Sequence, residues 1–223
     1  MSLGFWQLRR ADQKIALQAA IDTQGAKAAL DNLALAQASD TVALVHQPVR
    51  LRGAWLPSAT VFLDNRQMDA KVGFFVMTPL ALEGGGAVLV QRGWAPRNFE
   101  LRTDLPVVTT PVGPVEVEGR IALPPSKLFE PGTASAGTIR QNLDLAQFRT
   151  ETGLPLLQVM VLQKGAASEG LLRNWPAINL GVDKHYGYAF QWFALAFVLT
   201  ALTLWFQIIR PIYPRSREPH PHV

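Results

Sequence analysis

The stretch from Tyr188 to Ile209 carries no charge and no proline, and its only clearly polar members are Gln191, Thr200, Thr203 and Gln207. At about 1.5 Å per residue, a helix of that length rises roughly 33 Å. That is enough to cross a hydrocarbon core of about 30 Å. A buried helix of a soluble protein keeps a polar face, and this run has none broad enough. Trp192 lies near one end, with Trp205 and Phe206 near the other, where aromatic rings meet the two interfaces of a bilayer. The reading is a transmembrane helix over 186–210, set in the lipid bilayer; the alternative is a core helix buried on all sides.

The flanking charges orient it. Arg210, Arg215 and Arg217 follow the run, against Lys184 beside its start and Arg173 further back. This excess predicts a cytoplasmic C-terminal tail over 211–223, disordered and rich in proline, with the residues before about 185 on the opposite side. In a bacterium that places the helix in the cell inner membrane and the main domain in the periplasm. The chain has no cysteine, so disulfides and thiolate chemistry are excluded and the redox compartment stays unread. The net charge of +4 is spread over singly scattered lysines and arginines, without the basic stripe of a nucleic-acid binder.

The first residues, "MSLGFWQLRR", are apolar or small and then basic. They are too few to span a bilayer, and the order is wrong for a signal peptide, whose charges come first. Residues 1–10 are therefore expected to be the exit end of a first transmembrane helix largely missing from this chain. Residues 11–40, rich in Ala, Leu, Gln and Asp, read as a helical connector with a second helical piece after Gly25.

From 41 to 182 the pattern changes to short runs of β type broken by turn residues. In "VRLRGAWL", Val49, Leu51 and Gly53 face one way and Arg50 and Arg52 the other; Val115 and Val117 alternate with Glu116 and Glu118. Gly84-Gly85-Gly86 lacks the spacing of a phosphate loop and reads as a hairpin turn. Asp144 is a good N-cap for a short helix in "DLAQFRTET". The fold class expected is a membrane-anchored α+β protein: a small antiparallel β-barrel or sandwich with peripheral helices, plus the C-terminal transmembrane helix.

Catalytic constellations are scarce. GxSxG, HExxH and CxxC are absent, and the four histidines are His46, His185, His220 and His222. Asp64 and Asp69 in "LDNRQMDAK" are better read as a polar turn than as paired acids. Arg92-Gly93-Trp94 ends a strand and reads either as a structural pair or as a partner contact. His185 heads the long apolar run. Helical spacing lines it up with Tyr188, Ala189 and Trp192. An imidazole can ligate haem iron axially; the alternative is an interfacial histidine hydrogen-bonded to water and headgroups.

Taken in order, "WQLRRADQK", "VRLRGAWL", "VGFFVMTPL", "VLVQRGWAP", "VEGRI" and "RNWPAINLGVDKHYGYAFQWFALA", with the closing "RP", resemble the surfeit locus protein 1 family of cytochrome c oxidase assembly factors. The resemblance covers about residues 3 to 211. It implies two transmembrane helices bracketing an extracytoplasmic domain, and a role in maturing subunit I of haem-copper oxidases at the haem a step. It also implies that His185 is an axial ligand to the haem iron, with Trp192 and Tyr188 beside the cofactor. Gly53, Arg92, Gly93 and Trp94 fall to structure or partner contact. The partners implied are cytochrome c oxidase subunit I and a haem a synthase. The alternative is a cofactor-free scaffold that stabilises subunit I. An enzyme is not expected, because no acid–base or nucleophile set supports one.

Overall fold

The computed structural model describes residues 2–98, 100–101, 104–128, 137–175 and 182–209. The tail over 211–223, with His220 and His222, and the flanking Arg210, Arg215 and Arg217 lie outside the described residues. The chain divides into two compact units, Ala20–Ala177 and a second made of Met1–Ala19 with Ile178–Val223.

The larger unit is built on seven strands: β1 (Pro48–Trp55), β2 (Val61–Met68), β3 (Lys71–Leu82), β4 (Ala87–Pro96), β5 (Pro114–Ala122), β6 (Ile139–Arg140) and β7 (Leu156–Gln163). Five of them close a barrel in the order β1-β5-β7-β4-β3 and back to β1, while β2 and β6 extend from β3. The long strand β3 makes the closure possible. One edge pairs with β4 throughout; the other pairs first with β2, up to Val61↔Met77, and then with β1 from Trp55↔Leu80. Pro79 sits at the changeover. Its carbonyl accepts from Leu56 N at 2.9 Å, so its missing N–H faces the gap between β2 and β1 and costs no ladder bond.

The barrel agrees with the expected class, but the sheet is not wholly antiparallel. β4 pairs parallel with β7, and β2 parallel with β6. Parallel neighbours need a crossover, and here the chain between β6 and β7 passes through a helix, α3 (Leu145–Thr152; the earlier helices are described below). Alternation in a sequence reports which face is buried, not which way the neighbour runs.

Burial explains the run-like strand. β1 buries Val49, Leu51, Gly53 and Trp55 and exposes Arg50 and Arg52, which pair with Glu118 and Glu116 of β5. In β4 every residue from Ala87 to Ala95 is buried. Val88 and Val90 join the barrel interior with Leu51, Ile121 and Val161. Ala87 and Leu89 pack outside, under Leu145 and Phe148 of α3. A strand covered on both faces reads as continuous apolar sequence. Asp144 caps α3, accepting from Ala146 N at 3.0 Å and Gln147 N at 3.1 Å. Gly84, Gly85 and Gly86 all have positive φ in the β3–β4 turn, as the glycine run predicts.

The smaller unit contains most of α1 (Ser2–Gly25) and all of α4 (Val182–Leu204), which ends in one π-helical turn, Trp205–Ile209. Within the larger unit lies α2 (Asn32–Gln37), whose Leu35 is buried in the barrel core. Among the described residues one helix, Asp183–Gln207, is long and apolar enough to cross a membrane. Its Phe190, Leu195, Phe197 and Leu199 are exposed, as are Leu3, Phe5 and Trp6 of α1. Large apolar side chains exposed along one helix are consistent with membrane anchoring.

Candidate functional site

His185 lies in the first turn of α4, half-buried against α1. Its Nδ1 stands 2.7 Å from the side-chain oxygen of Gln7. An amide oxygen only accepts, so Nδ1 carries the proton and the lone pair of the neutral ring resides on Nε2. Among the described residues Nε2 has no hydrogen-bond partner. The seam continues along the two helices. Gly4 is buried beneath Phe193, whose ring would stand 2.7 Å from an added Cβ, and Phe5 meets the same ring edge-on at 5.2 Å. Small residues permit such close helix packing.

The structure divides the four residues that helical spacing groups together. Ala189 is buried, 2 % exposed, on the side of α4 that carries His185 and Phe193. Tyr188 and Trp192 are exposed at 53 % and 40 %. Tyr188 and Trp192 therefore lie on the open flank of that face and Ala189 on the packed one. His185 thus presents one engaged ring nitrogen and one unengaged, with the exposed Tyr188 and Trp192 three and seven residues further along the helix, and an imidazole nitrogen so disposed can ligate a metal. Among the described residues no group of three or more His, Asp or Glu is placed to hold a metal ion by itself.

Arg92, Gly93 and Trp94 lie far from this chemistry in sequence and form a different centre, within the barrel unit. The pairing of β3 with β4 steps from Val76↔Gly93 to Met77↔Gln91, leaving Arg92 as the extra residue of a β-bulge. The bulge turns its side chain fully into the interior, 0 % exposed. There Arg92 donates to Thr110 Oγ1 at 2.8 Å, to Thr109 O at 3.0 Å and to Glu169 Oε2 at 2.8 Å, and its guanidinium lies 4.6 Å from the Trp55 ring centroid. Arg173 reaches the same carboxylate at 3.4 Å and donates to Arg92 O at 2.7 Å. Burial pulls the Arg173 pKa below its ordinary value, while the Glu169 charge opposes that shift.

Gly93 lets the segment 168–173 lie against β4. A Cβ there would fall 2.6 Å from Leu171 Cβ and 2.9 Å from Leu172 O, and Trp94 and Leu172 exchange two backbone bonds of 2.8 Å. Trp94 covers Gly73, whose added Cβ would stand 2.6 Å from the indole, and donates Nε1–H to Arg66 O at 2.9 Å. Gly53 lies at the barrel seam, where a Cβ would collide with the carbonyl oxygen of Ala81. All four residues make close internal contacts. Asp64 and Asp69 are not one turn: Asp64 is buried in β2, 3.3 Å from Arg97, while Asp69 and Ala70, both at positive φ, form the β2–β3 turn.

Sequence reading missed Gln7, Glu169 and Arg173. Gln7 had a weak signal, a polar residue among "GFWQL" on a helix otherwise apolar there; Glu169 and Arg173 had none, since their partner is 77 residues from Glu169 and 81 from Arg173.

A model described as the SURF1 family matches residues 1–197. The chain is 28% identical over 226 residues to the SURF1-like protein of Rickettsia bellii (strain RML369-C), covering 96% of the chain and 86% of that protein. It is 26% identical to the SURF1-like protein of Rickettsia conorii (strain ATCC VR-613 / Malish 7), covering 91% and 84%. It is also 26% identical to that of Rickettsia felis (strain ATCC VR-1525 / URRWXCal2), covering 91% and 89%.

Proposed function

The chain belongs to the SURF1 family, and from that premise we propose that it is an assembly factor for a haem-copper (cytochrome c) oxidase. It binds haem a through His185 and assists insertion of the cofactor into subunit I. The observation that carries this reading is the Gln7–His185 pair, which leaves Nε2 as an unengaged ligand atom at the head of an apolar helix. Haem when bound would supply an iron that an imidazole can ligate; the chain's part is to offer one nitrogen from His185 and exposed aromatic surface from Tyr188 and Trp192. A single protein ligand suits a carrier, because the cofactor must leave. The same reading sets α4 in the bacterial inner membrane with the barrel in the periplasm and the C-terminus in the cytoplasm, and makes subunit I and a haem a synthase the partners. No step needs a catalytic group.

The test is the visible absorption spectrum of the membrane-expressed protein, co-produced with haem a synthesis enzymes, with His185→Ala beside it. A Soret band at one haem a per chain, lost in the variant, supports the carrier. No haem in either protein, together with capture of subunit I, supports the second reading, a cofactor-free scaffold. That second reading draws on the barrel, whose Arg92 and Trp94 are engaged in internal hydrogen bonds that hold its shape.

A further inference from the structure

We propose that Gln7 is a positioning residue for His185: it holds the imidazole in the Nδ1-protonated form and aims Nε2 at the metal. This rests on the reading of His185 as an axial ligand. Ligating histidines as a rule donate their second ring N–H to a carbonyl or carboxylate oxygen, which fixes tautomer and ring orientation and makes the ligating nitrogen more basic. The side-chain oxygen of Gln7, 2.7 Å from Nδ1, supplies that acceptor from the other helix.

The position of Gln7 is itself built. Gly4 and Ala11, three residues before and four after it, are the two buried residues of α1 and lie on the same helical face. Gly4 brings that face against α4 at Phe193. Gln7 therefore stands on the packed side of α1, where a free amide would be costly and a fixed one is stiff. A hydrogen bond that merely joins two helices would serve as well with either tautomer, since a Gln7 amide turned over would donate its NH2 to an unprotonated Nδ1. A bond that prepares a ligand requires one.

The experiment uses the full chain in detergent, with histidine-selective ¹⁵N NMR of the haem-free protein and titration with ferric haem b as probe. The proteins are wild type, Gln7→Met, Gln7→Glu and His185→Ala. Gln7→Met is close in length and keeps the helix; Gln7→Glu keeps an acceptor at the same reach. Wild type and Gln7→Glu should hold His185 as the Nδ1-protonated tautomer, and Gln7→Met should release it to the Nε2-protonated one. Haem affinity should fall about 10- to 100-fold in Gln7→Met and recover in Gln7→Glu. An unchanged tautomer in Gln7→Met overturns the proposal. So does unchanged haem affinity in Gln7→Met when His185→Ala has lost binding. Equal binding by wild type and His185→Ala overturns the ligand reading itself, and this inference with it.

Discussion

Glu169 and Arg92, 77 residues apart, meet at 2.8 Å around a guanidinium with no exposed surface. Glu169 also sits at φ 62, beside Gly170 at φ 80, in a turn closed by reciprocal bonds between Ser168 and Leu171. A left-handed conformation costs a residue with a Cβ roughly 1–2 kcal/mol. Glycine or asparagine would suit that turn better. The carboxylate offsets that cost by facing two buried arginines, Arg92 and Arg173.

Glu169→Gln should therefore destabilise the barrel even though the turn is unharmed. Removing one partner leaves buried positive charge uncompensated, a loss of about 3 kcal/mol. Urea unfolding followed by tryptophan fluorescence reads it, with Trp55 beside the cluster. The loss should persist in 0.5 M salt, because a buried pair is poorly screened. Arg50→Ala, which breaks an exposed pair with Glu118, should cost less than about 1 kcal/mol by the same assay.

Gly93→Ala and Gly53→Ala should both weaken the fold, by about 1–3 kcal/mol or more, through overpacking against neighbours that cannot yield. They should differ in where the damage lies. At Gly93 the added methyl meets Leu171 and Leu172 O, so amide exchange should accelerate first at Trp94 N and Leu172 N, which bond across that contact. At Gly53 it meets Ala81 O, and protection should fall along the β1–β3 seam. Equal exchange at both places in both variants would contradict the separate roles.

Much of this arrangement was legible in the residues. The alternation of Val49, Leu51 and Gly53 against two arginines, the three-glycine turn and the Asp144 cap each depend on neighbours a few positions away, and each stands as read. The apolar length of α4 was equally local. What stayed hidden depends on distant pairing. Nothing in "VQRGW" signals that Arg92 is a bulge residue, since the bulge exists only relative to β3. The parallel neighbours of β4 and β2 are likewise set by crossovers. At the helix pair, spacing grouped Ala189 with His185 correctly, but only the packing of α1 tells which flank of that face remains open.

Acid should loosen α3 before it melts the barrel interior. Hydrogen bonding from Arg140 holds the Glu151 carboxyl below the usual carboxylate range, at contacts of 3.0 and 2.9 Å. The backbone N–H of Gln147, with that of Ala146, does the same for Asp144. Both contributions are complete above the unfolded carboxylate values near 4 and are lost as pH falls through the lower folded ones. Asp144→Asn keeps a cap and should flatten part of the acid slope, whereas Asp144→Ala should cost about 1 kcal/mol at neutral pH. Unfolding midpoints between pH 6 and pH 3 decide it.

His46 should impose a second dependence nearer neutrality. Burial, and then the positive charge of Arg120, push its pKa below the ordinary histidine value. Arg120 Nη1 stands 2.9 Å from Nδ1 and can only donate, so the folded protein requires that nitrogen unprotonated. The unfolded chain takes up its proton at about pH 6.5. The stabilisation is thus full above that value and declines as pH falls below it toward the folded value, since the unfolded state then binds more protons. Thermal unfolding should show a falling midpoint from pH 7 to pH 5.5 in wild type and a shallower fall in His46→Gln. The carboxylates of α3 contribute little in that window, so an identical slope in the two proteins would place the dependence elsewhere than on His46.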